Sequence, residues 1–463
     1  MTNWLKLPRW TDFGSGFVLL LLCAYYSFVT YSEKHPDSPR AGATLGESIV
    51  KDYGTDAPVA IVVGATQQDR AFATSVEQAV QEAGGSVAAT IFAKSPADVG
   101  QQLRQLGASN TPVRVIASHH RPAQWGTMQP AALVRLGEAH PSLQGIEVRI
   151  PASYYWPTFL TWTNLTNVVK NNADVAIIAI GMTMVIILAG IDLSVGSLLA
   201  LSSVATAVAI EGWAGGEQAG LVGIAACTLF AVLITTACGL FTGTMVFWLR
   251  IPAFIVTLAM MEMVRGASLI TSAKFHKAIS GGLTEGTPEA IRIHAPSFGW
   301  LGNGELVGIP NPIWIMLLLF VAAHIVMTRT SVGRYIYAVG GNAEAARLSG
   351  VPVFGIYLFV YAMCGACAGL AGVLDASRFE GGRPNAGEMF ELRVIAAVVV
   401  GGTSIAGGEG RISWTLYGAL IIAVINNGLN MANVSPYEQR VVFGALILAA
   451  AVLDAIKRYA KST

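Results

Sequence analysis

The stretch Gly190-Ile191-Asp192-Leu193-Ser194-Val195-Gly196-Ser197 sets a lone carboxylate between two apolar runs, 175–191 and 193–210, that carry no other charge. A carboxylate in such surroundings belongs at a membrane edge or facing a polar passage. The glycines and serines permit a tight reversal there, with Asp192 and Ser194 free to bond exposed backbone, to cap the helix that follows, or to bond a moving gate. Glu262 and Arg265 stand three apart in another apolar run, on one helical face where they can pair or line a passage. Asn426, Asn427 and Asn430 offer amides, either to solute hydroxyls or to neighbouring helices. Cys364-x-x-Cys367 lies in an apolar run and reads as a small-residue packing surface. His119-His120 reads as an exposed loop pair, because no further ligand stands at a metal-binding spacing. The chain contains no Gly-x-x-x-x-Gly-Lys-Ser/Thr, so it has no loop to cradle nucleotide phosphates. No catalytic residue, metal or cofactor is expected in this chain. If ATP powers it, hydrolysis must occur in a partner.

These groups need elements that a membrane accepts. Of 463 residues, 12% are charged and 53% hydrophobic, with mean hydropathy +0.55 and formal net charge +1. That balance gives no reason to expect a nucleic-acid partner. A membrane span takes about 20 mostly apolar residues, and about ten runs qualify: 13–31, 175–191, 193–210, 220–249, 252–272, 312–328, 353–374, 394–406, 412–432 and 441–455. The Lys and Arg between these runs show a modest bias: Lys6, Arg9, Arg250, Arg329, Arg334, Arg347, Arg411, Lys457, Arg458 and Lys461 fall on one side, a larger set than Lys274, Lys277, Arg292, Arg378, Arg383, Arg393 and Arg440 on the other. The bias places both termini in the cytoplasm.

Between the first two runs the sequence changes character. Val59-Ala60-Ile61-Val62-Val63-Gly64 reads as a buried strand, and 71–83 has helical spacing with Phe72, Val76 and Val80 on one face. Gly84-Gly85 ends that helix. Strands follow at 86–92, 113–117 and 145–150, with helices from Ser95-Pro96 and over 130–139. This alternation predicts a small parallel-sheet α/β domain outside the membrane. The fold class expected is therefore an all-α polytopic membrane protein of about ten transmembrane helices with an inserted small α/β, Rossmann-like domain. Its parts would be 1–32, the first helix; 33–161, the insert; and 162–463, a core of nine further helices.

Several long motifs stand in order behind the insert. They are Ala189 to Ser197; Gly333-Arg334-Tyr335 through Gly341-Asn342-Ala343-Glu344-Ala345-Ala346-Arg347-Leu348-Ser349-Gly350; Gly401-Gly402-Thr403-Ser404-Ile405-Ala406-Gly407-Gly408-Glu409-Gly410-Arg411-Ile412; and Asn426-Asn427-Gly428-Leu429-Asn430-Met431. Together they resemble the membrane (permease) subunit of ribose-type ABC sugar importers, from about Trp162 to the C-terminus. The resemblance implies a transmembrane pathway for a monosaccharide of ribose or xylose kind, in the bacterial cytoplasmic membrane. It implies four partners: an ATP-binding cassette subunit that uses Mg-ATP, a periplasmic substrate-binding protein, a second copy of the permease, and membrane lipid. It also makes Gly341, Asn342, Glu344, Ala345, Arg347, Leu348, Ser349 and Gly350 the segment that couples to the ATPase. The pathway or gate would involve Asp192, Ser194, Glu262, Arg265 and the three asparagines. Arg265 fits the family pattern, whereas Glu262, Arg393 and Trp414 depart from it. These departures leave open a nucleoside or a furanone-type signal as solute. From the residues alone, a secondary transporter or channel also stays open. The insert departs from the family plan and resembles one lobe of a periplasmic sugar-binding protein. A single lobe lacks a closing cleft, so protein docking is expected ahead of sugar binding.

Overall fold

The computed structural model describes residues 14–279 and 287–462. It divides into two compact units, Tyr31–Thr158 and a second made of Met1–Thr30 with Phe159–Thr463. Lys6 and Arg9 lie outside the described residues, as do the side chains of Lys457, Arg458 and Lys461.

The helix α1 (Gly14–Val29) leads into the smaller unit, which is opened by β1 (Tyr31–Lys34) and closed by β6 (Tyr154–Pro157). The two pair antiparallel, Tyr31 opposite Pro157, so entry and exit of this unit adjoin. Between them lie α2 (Pro39–Tyr53), β2 (Pro58–Val63), α3 (Gln67–Glu82), β3 (Ser86–Phe92), α4 (Pro96–Ala108), β4 (Val115–Ala117), α5 (His120–Ala123), α6 (Pro130–Ala139) and β5 (Glu147–Arg149). The sheet order is β3-β2-β4-β5, and every neighbour is parallel. A strand covered on both faces needs a continuous apolar run, and β2 supplies it. Val59, Ile61 and Val63 pack with Phe72, Val76 and Val80 of α3 on one face. Ala60 and Val62 pack with Leu103 of α4 and Leu133 of α6 on the other. Fully burying a side chain the size of Phe72 stabilises the unit by about 1.5–3 kcal/mol. Helix starts are set locally: Thr66 with Asp69, and Ser95 with Asp98, form reciprocal capping boxes. The helix α2 had no counterpart in the sequence reading.

The larger unit continues with α7 (Trp162–Ile187), α8 (Val195–Gly212), α9 (Leu221–Leu249), α10 (Ala253–Ile279), α11 (Gly299–Asn303), α12 (Asn311–Arg329), α13 (Ser331–Gly341), α14 (Ala343–Leu348), α15 (Val353–Arg378), α16 (Phe390–Val400), α17 (Ile412–Met431) and α18 (Pro436–Ser462). Among the described residues seven helices are long and apolar enough to cross a membrane: α7, α8, α9, α10, α12, α15 and α17. The chain is a multi-pass membrane protein. The apolar α1 has 16 residues, and α16 has 11, ending where the backbone turns at Gly401 and Gly402. At about 1.5 Å per residue α16 is too short to span, so the run 394–406 is half helix and half turn.

The centre of the bundle is α15, which meets α7, α8 and α9 closely. A side chain at Gly239 of α9 would collide with the Tyr361 carbonyl, and one at Gly365 of α15 would collide with that of Thr235. Such small-residue seams let membrane helices gain dispersion contacts that lipid would otherwise supply. Cys364 and Cys367 are free thiols buried in this packing, with Gly181 of α7 against Cys364.

Candidate functional site

Four polar features are built into the larger unit. The first is the reversal between α7 and α8. Asp192 is fully buried, away from any exposed edge. Its Oδ1 accepts from the Ser194 amide at 2.9 Å and the Ser194 hydroxyl at 2.6 Å. It therefore closes a local turn and does not cap α8, whose N-cap is Ser194 without a side-chain bond. Asp192 Oδ2 is buried without a hydrogen-bond partner. A buried acceptor left so poorly paired marks a place where the fold gains little from the group. Asp192→Ala is accordingly expected to cost about 1–2 kcal/mol through the lost Ser194 bonds while reducing uptake far more. Folded yield and uptake measured on the same preparation check this, and unchanged uptake kinetics would leave Asp192 as a turn residue only.

The second feature is an unwound stretch, residues 381–389, that runs along α8 before α16 begins. Gly382 packs on Ser203 and Ala207, and Gly387 on Gly196. Arg265 of α10 donates from one Nη to the carbonyls of Pro384 at 3.0 Å and Ala386 at 2.8 Å. The expected Glu262–Arg265 pair is thus corrected. Arg265 turns inward because unwound carbonyls there need a donor, while Glu262 is exposed.

The third is a buried charge network that the sequence reading missed. Arg378 Nη2 lies 2.7 Å from Asp174 Oδ2 of α7 and 3.6 Å from Asp375 Oδ1. Arg383 also pairs with Asp375, and its guanidinium sits 3.7 Å from the Phe379 ring centroid. Asp174 and Asp375 stand at the edges of the apolar runs 175–191 and 353–374. Charges flanking two runs were the available signal.

The fourth is the junction that carries residues 341–350. A side chain at Gly340 would collide with the Ile187 carbonyl, and the Gly408 amide donates to that same carbonyl at 2.8 Å. Tyr337 donates to the Gly410 carbonyl at 2.8 Å. The end of α13, the α7–α8 reversal and the glycine-rich turn therefore meet. From this crossing α14 projects, capped by Asn342 Oδ1 accepting from the Ala345 amide at 2.9 Å. Gly341, Asn342, Glu344, Ala345, Arg347, Leu348, Ser349 and Gly350 are all exposed, whereas Ala346 is buried. Glu344 and Arg347 form a two-point pair, 2.5 Å and 3.0 Å, and that partner holds the Glu344 carboxyl below the usual range. Leu348 is 75% exposed. Gly350 leaves the helix at φ 81°, a left-handed conformation that glycine adopts without strain.

The asparagines are largely spent on each other. Asn427 and Asn164 exchange amide bonds at 2.9 and 3.2 Å, locking α17 to α7. Asn430 Oδ1 accepts from Gln439 at 2.8 Å, and Asn430 Nδ2 reaches Asn426 at 3.4 Å. The structure thus gathers the residues of 341–350 on one segment but distributes Asp192, Arg265 and the asparagines over separate places. In the smaller unit, His119 is corrected from an exposed loop residue to a buried one. Its Nε2 lies 2.7 Å from Asp69 Oδ1, with the Phe72 ring edge-on.

Residues 164–451 match the family described as branched-chain amino acid transport system / permease component. The chain is 45% identical over 298 residues to the ribose import permease protein RbsC of Escherichia coli (strain K12), covering 64% of this chain and 87% of that one. It is 37% identical over 298 residues to the D-allose transport system permease protein AlsC of Escherichia coli (strain K12), covering 64% and 84%. It is 36% identical over 314 residues to the L-arabinose transport system permease protein AraH of Escherichia coli (strain K12), covering 68% and 89%. No solved structure matches. The family match covers more than half of the chain and spans the charge network, the unwound stretch and the exposed segment alike, so this protein belongs to that family of membrane permease components.

Proposed function

We propose that this chain is the membrane subunit of an ATP-driven importer for a monosaccharide, working as a two-fold pair with one ATP-binding cassette subunit on each copy. The carrying observation is a charge on a span surface: Glu262 of α10 is exposed, as is Glu388 of the unwound stretch. Glu262 lies about 14 Å along the 27-residue α10 from its start, at 1.5 Å per residue, and so within the span, away from its ends. A charge facing lipid at that depth costs at least about 2.5–3.5 kcal/mol. A second copy facing it across a watered passage removes that cost. The unwound stretch beside Arg265 supports the same reading, because broken helices within the bilayer supply backbone groups to transport sites. In this scheme Asp192, Ser194, Glu262 and Arg265 belong to the gate and pathway. Residues 341–350 receive the ATPase, which holds Mg-ATP, and Asn427 holds α17 against α7 through Asn164. The ribose, allose and arabinose named for the relatives support a sugar as cargo. Both termini would face the cytoplasm, and a periplasmic binding protein would deliver the sugar from the other side.

Native mass measurement of the complex extracted with its ATPase tests this. The expected species holds two permease chains and two ATPase chains. A single permease chain that transports without any ATPase would overturn it.

A further inference from the structure

The smaller unit has a crevice that the transport reading does not use. Its sheet order brings β2 and β4 together with connections leaving in opposite directions, β2 toward β3 and β4 toward β5. Ligands of open parallel sheets sit at such a switch point, outside the carboxyl ends of the strands. A cavity of about 770 Å³ lies there, between the start of α3, the turn after β4 and residues 35–37, within the size range of small-molecule sites. Of the residues lining it, only Ala71 is apolar.

Its chemistry selects the ligand class. Asp69 Oδ1 is held by His119, and Oδ2 accepts from the Thr66 amide at 2.9 Å and hydroxyl at 2.6 Å. Burial pushes the Asp69 carboxyl up, but those Thr66 and His119 bonds outweigh it and hold it below its ordinary range. Asp37 Oδ1 accepts from Gln68 at 2.9 Å. Asp69 is thus fully engaged, and among the described residues no three His, Cys, Asp or Glu side chains group to hold a metal ion. Asp69 also occupies the positive end of α3, which an anion would otherwise need. What remains are hydrogen-bonding side chains, the Gln67 amide and the guanidinium of the exposed Arg121, because the capping box already uses the Asp69 amide. One wall is a flat stack of His35 on His120, centroids 3.4 Å apart and planes within 4°. His35 Nδ1 is buried there without a hydrogen-bond partner.

We propose that this crevice binds a small uncharged polyol, with a monosaccharide as the fitting size, so that the permease carries its own sugar site in the insert. This reverses the order expected from the sequence, in which protein docking came first. The crevice would bind such a ligand whether or not the larger unit transports it.

The test uses the full chain in detergent, titrated calorimetrically with D-ribose, D-allose, L-arabinose and, as the anionic control, ribose 5-phosphate. The parent is compared with Gln67→Ala/Arg121→Ala, two exposed positions whose loss leaves the core intact. The expected result is saturable binding of a free sugar, weakened at least about tenfold, or roughly 1.4 kcal/mol, in the double variant. Absence of sugar binding, equal binding by the double variant, or preference for the phosphate ester would each overturn the proposal. Uptake is read separately, so a failed transport reading leaves this result standing.

Discussion

Arg378→Ala is expected to lower the stability of the folded bundle by about 3–5 kcal/mol, the cost of removing one partner from a buried ion pair. Asp174 is the group that suffers. Its side chain is 3% exposed, and Arg378 at 2.7 Å is the cation it meets. Asp375, 1% exposed, retains Arg383 when Arg378 is removed. The loss is therefore focused on a single orphaned carboxylate of α7, and neutralising that carboxylate should recover much of it. The check is the thermal unfolding of detergent-solubilised parent, Arg378→Ala, and Arg378→Ala/Asp174→Asn. The single variant should melt well below the parent, and the double variant should melt between them. If Arg378→Ala shifts stability by less than about 1 kcal/mol, as an exposed pair would, the network is solvated and does not tie α7 to α15.

The same network shows where sequence reading stopped. Hydropathy ends a run at its first charge, so the run 175–191 began just after Asp174 and 353–374 ended just before Asp375. The helices do not end there: α7 starts at Trp162 and α15 continues to Arg378. Charges assigned to loops are in fact helical and buried, because their partners come from another helix and only tertiary structure supplies them. The α/β unit was more legible. Its strands announce themselves by continuous apolar runs and its helices by Ser95-Pro96 and Gly84-Gly85, all local signals. What did not show was the packing of His119 beneath Asp69, which joins residues fifty apart. Spacing misled at Glu262 and Arg265 for a related reason. A three-residue interval permits a pair, but the unwound carbonyls of Pro384 and Ala386 compete for the guanidinium and win it. The segment at 341–350 was visible through its motif and its length: it holds a six-residue helix too short to stand alone, with the apolar Leu348 exposed.

That residue gives the largest expected effect on transport. Leu348→Asp should abolish uptake while leaving the chain folded and inserted. At 75% exposure Leu348 contributes little to the fold, so the change costs the isolated permease almost nothing. Burying a leucine in an interface is worth about 1.5–3 kcal/mol, and an aspartate in the same pocket adds the desolvation of an unpaired charge. Affinity for the ATPase should therefore fall by a hundredfold or more, at about 1.4 kcal/mol per factor of ten. Glu344→Ala is the milder partner variant, since it frees Arg347 but removes no apolar contact. If residues 341–350 receive the ATPase as proposed, its loss should also silence the proposed gate. Gly340, Ile187 and Gly408 are in direct contact, so a push on α14 reaches the α7–α8 reversal and the glycine-rich turn through α13 without passing along a flexible loop. The measurements are co-purification of the ATPase with tagged permease and sugar-stimulated ATP hydrolysis in the reconstituted complex. Both should be lost in Leu348→Asp and reduced in Glu344→Ala. Normal co-purification and normal uptake by Leu348→Asp would remove residues 341–350 from the coupling interface.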